Sequence, residues 1–335
     1  MPLTAKTPEE LFEYGSPDEI KAQYRKLAGQ HHPDKGGDAV DFQLVKDLYD
    51  QAIAKVESGA PWDTGKAVTW KVVDRTFTLK YRRKLDAGIG KAFVGQTRVL
   101  YLLDESFADL GKEAFHLMQE NRANAGPNDR LKEVNGWILP DPVTDPRGDA
   151  AIMLSKDEDI HPLRAVLEAY PKIDAASAAW MIGRLMHILC YLEWRGVVHG
   201  DVSIDSLFVN LKNHSLHLYG GWWFSRKKGT RFAALPARSI RLCPSDIMKE
   251  KVANKRLDFE LARHAACEIL GAPSPTELRM RKDLPAPLVQ FLVSPFAAPT
   301  ATELYNQWEK VRDASFAKRQ FVVFDHDPRV IYQEK

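Results

Sequence analysis

The chain has 335 residues, 44% of them hydrophobic and 27% charged. That is ordinary globular composition and enough length for two domains of roughly 100–200 residues each. Lys plus Arg number 47 against 45 Asp plus Glu, a net charge of +2, which argues against a protein whose main task is coating nucleic acid. Three widely spaced cysteines, Cys190, Cys243 and Cys267, exclude a disulfide framework or a four-cysteine zinc site as organising features, and fit a reducing, cytoplasmic compartment.

The first fifteen residues carry Glu9, Glu10 and Glu13 among few apolar residues and do not read as a signal peptide. No run approaches eighteen uncharged apolar residues, so no membrane span is expected. Residues 8–59 read as helical. Pro8-Glu9-Glu10 opens a short helix. Ser16 and Glu19 form a capping box for the next, in which Ile20, Tyr24, Leu27, Ala28 and His31 recur at helical spacing. Pro33 ends that helix, Gly36-Gly37 complete a tight loop, and Asp38 caps a third helix with the stripe Phe42, Val45, Tyr49, Ala52, Ile53 and Val56. Residues 60–66 break the periodicity and read as a linker.

From 67 to 155 the pattern is strand-rich: 68–73, 76–79, 92–94, 99–103, 137–139 and 150–154 are strands, with one helix at 108–121. From 156 to 318 it is mostly helical, with an amphipathic helix at 175–195 built on Ile182, Leu185, Met186, Leu189 and Leu192. Further helices are expected near 256–270 and 299–314. Residues 319–335 form a tail in which Phe321-Val322-Val323-Phe324 is a short strand or a packed end.

Two motifs carry function. The first is His32-Pro33-Asp34-Lys35-Gly36-Gly37 between two helices, preceded by Tyr24-Arg25-Lys26-Leu27-Ala28. Pro33 stiffens the turn and presents Asp34 on a fixed loop. Over residues 1–59 this resembles a J domain. The resemblance implies docking to a seventy-kilodalton heat-shock chaperone, with Asp34 as the critical acid. His32 and Pro33 would shape it, and Lys21, Arg25 and Lys26 would steer association electrostatically. No Cys-x-x-Cys pair and no Gly/Phe-rich linker follow, which resembles the heterogeneous third class of J proteins, whose remaining chain selects an as yet unknown client.

The second motif is His199-Gly200-Asp201-Val202-Ser203-Ile204-Asp205-Ser206 after the long helix. It is similar to the catalytic loop of protein kinases. The resemblance implies a bilobal kinase-like domain with its N-lobe over 67–155 and its C-lobe over 156–318. Asp258 would then hold the catalytic-loop backbone, and Pro244-Ser245-Asp246 stands where an Ala-Pro-Glu anchor is expected. Fold class is thus α+β, a small all-α J domain followed by a kinase-like domain.

Kinase chemistry needs a lysine on the phosphates, two metal ligands and a base. The base position is kept as Asp201. Ser206 replaces the metal-binding asparagine. Gly220, in Tyr219-Gly220-Gly221-Trp222-Trp223-Phe224, falls where Asp-Phe-Gly is due. Strand 99–103 has no lysine, and Glu113 stands at the helix C glutamate position without its usual partner. Gly88-Ile89-Gly90-Lys91 reads either as a shortened glycine-rich loop with a substitute lysine or as a hairpin with a surface lysine. The balance is a pseudokinase needing no cofactor and no metal. The alternative is an unconventional ATP- and magnesium-dependent kinase or transferase using Asp201.

Trp222 and Trp223 either cover the C-lobe core or fill the nucleotide cleft. The basic runs 80–84 and 226–231 read as solvated loops, the second also as a possible dock for an acidic client or a phosphate. His214-x-x-His217 has no third ligand nearby and reads as a strand-end coincidence. Nucleic acid and membrane are not expected partners.

Overall fold

The computed structural model describes residues 3, 5–13, 15–58, 60, 62, 66–72, 75–123, 138–139, 141–142, 150–316 and 324–332. The chain divides into two compact units. One comprises Met1–Thr69, Thr78–Arg83 and Asp327–Lys335, the other Trp70–Phe77 and Lys84–His326.

The first unit is helical: α1 (Pro8–Leu11), α2 (Pro17–His31) and α3 (Ala39–Glu57). The box at the start of α2 forms. The Ser16 hydroxyl accepts from the Glu19 N–H at 3.3 Å, and the Glu19 carboxylate accepts from the Ser16 N–H at 2.7 Å. These bonds pair N–H groups that a helix start leaves open. Asp38 caps α3 by accepting from the N–H groups of Val40 (2.7 Å) and Asp41 (3.2 Å). Tyr24 stacks on Tyr49 at 4.3 Å and His32 meets Phe42 edge-on at 5.0 Å, so α2 and α3 run antiparallel. Phe12, Ile20, Leu48, Ala52 and Val56 form the core between the helices; burying each large apolar side chain is worth about 1.5–3 kcal/mol. Leu48 extends the stripe read from the sequence.

The same unit gathers the chain end. Helix α13 (Pro328–Ile331) carries Arg329, which donates to the Val56 carbonyl at 2.7 Å. Arg82 lies over the Tyr332 ring at 5.4 Å and Arg83 donates to the Ile331 carbonyl at 3.4 Å. Much of the basic run 80–84 is therefore engaged. Most of the 60–66 linker and the stretch Phe321-Val322-Val323 lie outside the described residues. Strands β1 (Ala67–Val72) and β2 (Arg75–Lys80) pair as a ribbon.

The second unit opens with an antiparallel five-stranded sheet. Its strands are β3 (Arg83–Asp86), β4 (Gly90–Val94), β5 (Arg98–Leu103), β6 (Asp141–Pro142) and β7 (Ala151–Ser155), in the order β3-β4-β5-β7-β6. Helix α4 (Ala108–Ala123) connects β5 to β6. Tyr101 on the central strand stands opposite Ala92 on one side and Ile152 on the other. The expected strand at 137–139 does not form. Ile138 is helical and Leu139 a bend, both buried, and Trp137 lies outside the described residues. A three-residue apolar run satisfies either backbone once burial decides, and β6 takes the sheet edge instead.

Then follow β8 (Ile160–Pro162), α5 (Leu163–Ala169), α6 (Ala175–Trp194), β9 (Val197–Val198), β10 (Leu207–Asn210), β11 (Ser215–Leu218) and β12 (Arg226–Lys227). The remaining helices are α7 (Ala237–Leu242), α8 (Ser245–Glu250), α9 (Lys255–Ile269), α10 (Pro275–Leu278), α11 (Ala286–Val293) and α12 (Ala301–Ser315). Asp174 caps α6, whose Ile182, Leu185, Met186, Leu189 and Leu192 are all buried. This helix is long and apolar enough to cross a membrane, yet 61% of its most apolar window is buried among α9, α12 and β11, as for a core helix.

Candidate functional site

In the helical unit, α2 stops because His32 turns extended ahead of Pro33. Pro33–Lys35 then form one 3-10 turn, closed by the Asp34 N–H donating to His32 Nδ1 at 3.1 Å. Gly36 follows with φ 84°, a conformation open to glycine at little cost. The turn leaves the Asp34 side chain 88% exposed, with its carboxylate 3.6 Å from His32 Nδ1. Lys21, Arg25 and Lys26 are exposed on α2. The fold thus places an outward acid at the end of a helix carrying three outward cations.

In the second unit, His199-Gly200-Asp201 follows β9. Asp258, near the start of α9 and 2% exposed, accepts from the N–H groups of His199 and Gly200, both at 2.8 Å. This is the loop-holding contact that the kinase resemblance implied. Burial pushes the Asp258 carboxyl up to about 7, opposed by those two donors. His199 Nδ1 accepts from the Asp201 N–H at 3.3 Å, and burial drives its imidazole down to about 3. The ring is therefore neutral, and it meets Trp222 edge-on at 5.0 Å. Burial, with Asp205 nearby, pushes Asp201 up to about 8, against the Ser203 hydroxyl donating at 3.2 Å.

The positions that would hold a metal nucleotide are filled by other groups. The Ser206 hydroxyl reaches the Asp201 carbonyl at 2.5 Å and the Ser203 carbonyl at 3.0 Å and accepts from the Ser203 N–H at 3.0 Å, so it ties the loop. A Cβ on Gly220 would lie 3.0 Å from Ser206 Cα and 3.3 Å from the Tyr101 hydroxyl, so an aspartate would fit only if those neighbours gave by a few tenths of an ångström. Tyr101, on the strand where a lysine is due, is buried and packs its ring 4.9 Å from that of Trp223. Its phenol is held protonated by burial.

Trp222, Trp223 and Phe224 form a buried 3-10 turn, and the Trp222 indole donates to the Leu218 carbonyl at 2.7 Å. Trp222 therefore belongs to the loop core beside His199, while Trp223 occupies the space under the sheet. Gly221 must be glycine: its φ is 79°, and a Cβ there would sit 2.7 Å from His199 Cε1.

The glycine pair 88 and 90 is also explained by packing. Only Ala87-Gly88-Ile89 link β3 to β4. A Cβ on Gly90 would lie 2.1 Å from the Leu102 carbonyl, so close strand approach demands the glycine. A Cβ on Gly88 would meet the Phe224 ring at 3.5 Å, so an aromatic stands beneath the turn. Lys91 points to Asp86 at 2.8 Å, an ion pair on the hairpin, as in the surface-lysine reading. Magnesium takes oxygen ligands, chiefly carboxylates. Gly220 and Ser206 bring no carboxylate to the two loop positions the kinase resemblance expects to hold magnesium, and among the described residues there is no group of three or more His, Cys, Asp or Glu that could hold a metal.

Glu113 on α4 finds a partner that the sequence did not disclose: Arg226, at 3.1 Å. Lys227 likewise pairs with Glu120 at 3.1 Å, so the 226–231 run is partly neutralised by α4. Asp246 opens α8 and pairs with Arg256 in an exposed contact. His214 stacks on Trp180 at 4.4 Å, and His217 Nε2 bonds the Ser215 hydroxyl at 2.8 Å; the two do not converge. Tyr101, Phe224 and Arg226 escaped sequence reasoning. The signal for the aromatic plug was the run of three aromatics directly after two glycines.

No protein-family model matches the chain, and no curated protein matches it. Among solved structures it is similar to vaccinia related kinase 3, with a TM-score of 0.50 and 15% identity over 74% of this chain and 90% of that one. At this identity the likeness is one of fold: the chain contains a protein-kinase-like fold.

Proposed function

We propose that this protein is a J-domain co-chaperone. Its helical unit recruits a seventy-kilodalton heat-shock chaperone and stimulates the partner's ATPase. Its kinase-fold unit is catalytically silent and binds or tethers a client protein. The observation that carries this reading is the exposed Asp34 on its rigid Pro33–Lys35 turn. Exposed Lys21, Arg25 and Lys26 support it, because a cationic helix face accelerates docking to an acidic partner. Silence of the kinase fold is supported by Gly220, Ser206 and Tyr101 standing where metal ligands and lysine are needed. The reading requires no cofactor on this chain and suits the cytoplasm, where three free thiols persist.

The test is single-turnover ATP hydrolysis by a seventy-kilodalton chaperone with the full chain or its Asp34→Asn variant. The parent is expected to accelerate hydrolysis and the variant to lose most of that gain while melting unchanged, since Asp34 is exposed. Equal stimulation by both would remove the proposal. A nucleotide-dependent transferase using Asp201 is the second reading, favoured only by the retained loop frame that Asp258 holds. It calls for a thermal shift with ATP and magnesium, and for phosphate transfer that Asp201→Ala abolishes.

A further inference from the structure

Trp194 ends α6 with 56% of its surface exposed, although tryptophan is a residue highly buried on average. It walls a cavity of about 410 Å³ together with Glu120 and Asn121 of α4, Arg195 and Gly196 after α6, and Lys227 of β12. That volume falls in the range of ligand pockets, roughly 300–1,000 Å³. Asn121 is only 4% exposed. Its Oδ1 accepts from Arg195 Nε at 2.9 Å, while its Nδ2 has no hydrogen-bond partner. Native folds rarely leave a buried donor unpaired, so the amide points to an acceptor supplied from outside.

The charge of the walls narrows the choice. The Arg195 guanidinium lies 5.2 Å over the Trp194 ring. Lys227 is held by Glu120, both side chains more than half exposed, and such pairs exchange readily. Lys228 is exposed beside it. Two cations, Arg195 and Lys227, face one acid, Glu120, around an aromatic platform.

The geometry points to a docking site for a short acidic peptide segment of a partner protein. An apolar side chain of the segment packs on Trp194, a main-chain carbonyl accepts from Asn121 Nδ2, and flanking carboxylates pair with Lys227 and Arg195. Trp and Arg are the residue types that most often dominate such contacts. The inference rests on the reading of the kinase-fold unit as a binding module, and stands independently of the exposed turn in the helical unit.

The experiment selects random twelve-residue peptides on phage against the full chain and measures the selected consensus by fluorescence anisotropy. The expected consensus is an aromatic or leucine flanked by acids, with affinity falling at least tenfold in Trp194→Ala and in Lys227→Glu, and falling as salt rises. Asp34→Asn must bind it as the parent does, which separates this site from the chaperone reading; melting curves of each variant exclude unfolding. The inference is overturned if no peptide is selected that Trp194→Ala loses, if the selected peptides are basic, or if a single-stranded oligonucleotide competes for the site.

Discussion

Replacing Asp258 by alanine is the sharpest test of how the kinase-type loop is held. Two backbone N–H groups, those of His199 and Gly200, donate to this one carboxylate at 2.8 Å. His199 is fully buried and Asp258 nearly so, so water cannot replace the lost acceptor. A buried donor left unpaired costs about 1–3 kcal/mol, giving roughly 2–6 kcal/mol for the pair. A domain of this size loses about 2–4 °C in melting temperature per kcal/mol, so the variant is expected to melt roughly 4–24 °C lower. Near-ultraviolet circular dichroism follows the event, because Trp222 lies edge-on to His199. Asp246→Ala is the control, an exposed carboxylate paired with Arg256, and should leave the transition in place. If Asp258→Ala melts with the parent, the loop is held by something other than this carboxylate.

Further outcomes follow from the same geometry. Stability should be level between about pH 4 and 6.5, where the buried imidazoles and the buried carboxyls oppose each other, and fall on either side. On the acid side, His199 (about 3) and His217 (about 4) are neutral in the fold while the unfolded imidazoles bind protons below about 6.5, so their contribution falls as pH falls. On the alkaline side, Asp201 (about 8) and Asp258 (about 7) hold protons that the unfolded carboxyls have already lost, so stability falls as pH rises through those values. Asp201→Asn should flatten the alkaline limb of a melting-temperature profile, and an unchanged limb would refute the assignment. Gly220→Asp should lower stability and gain no magnesium-ATP binding by calorimetry, because its Cβ meets Ser206 Cα at 3.0 Å; recovered binding would contradict the filled cleft. Trp223→Ala should cost about 3–5 kcal/mol by chemical denaturation, as for other buried aromatics.

Much of the architecture was legible where the information is local. The Ser16–Glu19 box, the Asp38 cap, the arrest of α2 at Pro33 and the apolar stripe of α6 depend on residues within one or two turns, and each formed where its spacing indicated. Asp258 was legible too, because a kinase-like resemblance placed it, although its partners lie nearly sixty residues away. The expected strand at 137–139 is the exception: Ile138 is helical and Leu139 a bend, both buried, and so short an apolar run carries no period to tell one backbone from another.

The state of the cleft could be read only halfway. The kinase resemblance set Gly220 and Ser206 where metal ligands are due, and the chain by itself showed that β5 lacks a lysine, since absence of a residue type is visible in one dimension. What fills the gap was a matter of three-dimensional packing. Tyr101 from β5 meets Trp223 from the turn it shares with Phe224, and the Arg226–Glu113 and Lys227–Glu120 pairs join segments more than a hundred residues apart. The sequence determined which residue types stand at the kinase-like motif positions, because charge and coordinating atoms belong to individual residues. The tertiary structure decided what occupies that space and that Asp34 stands outward, because exposure and contact belong to the folded whole.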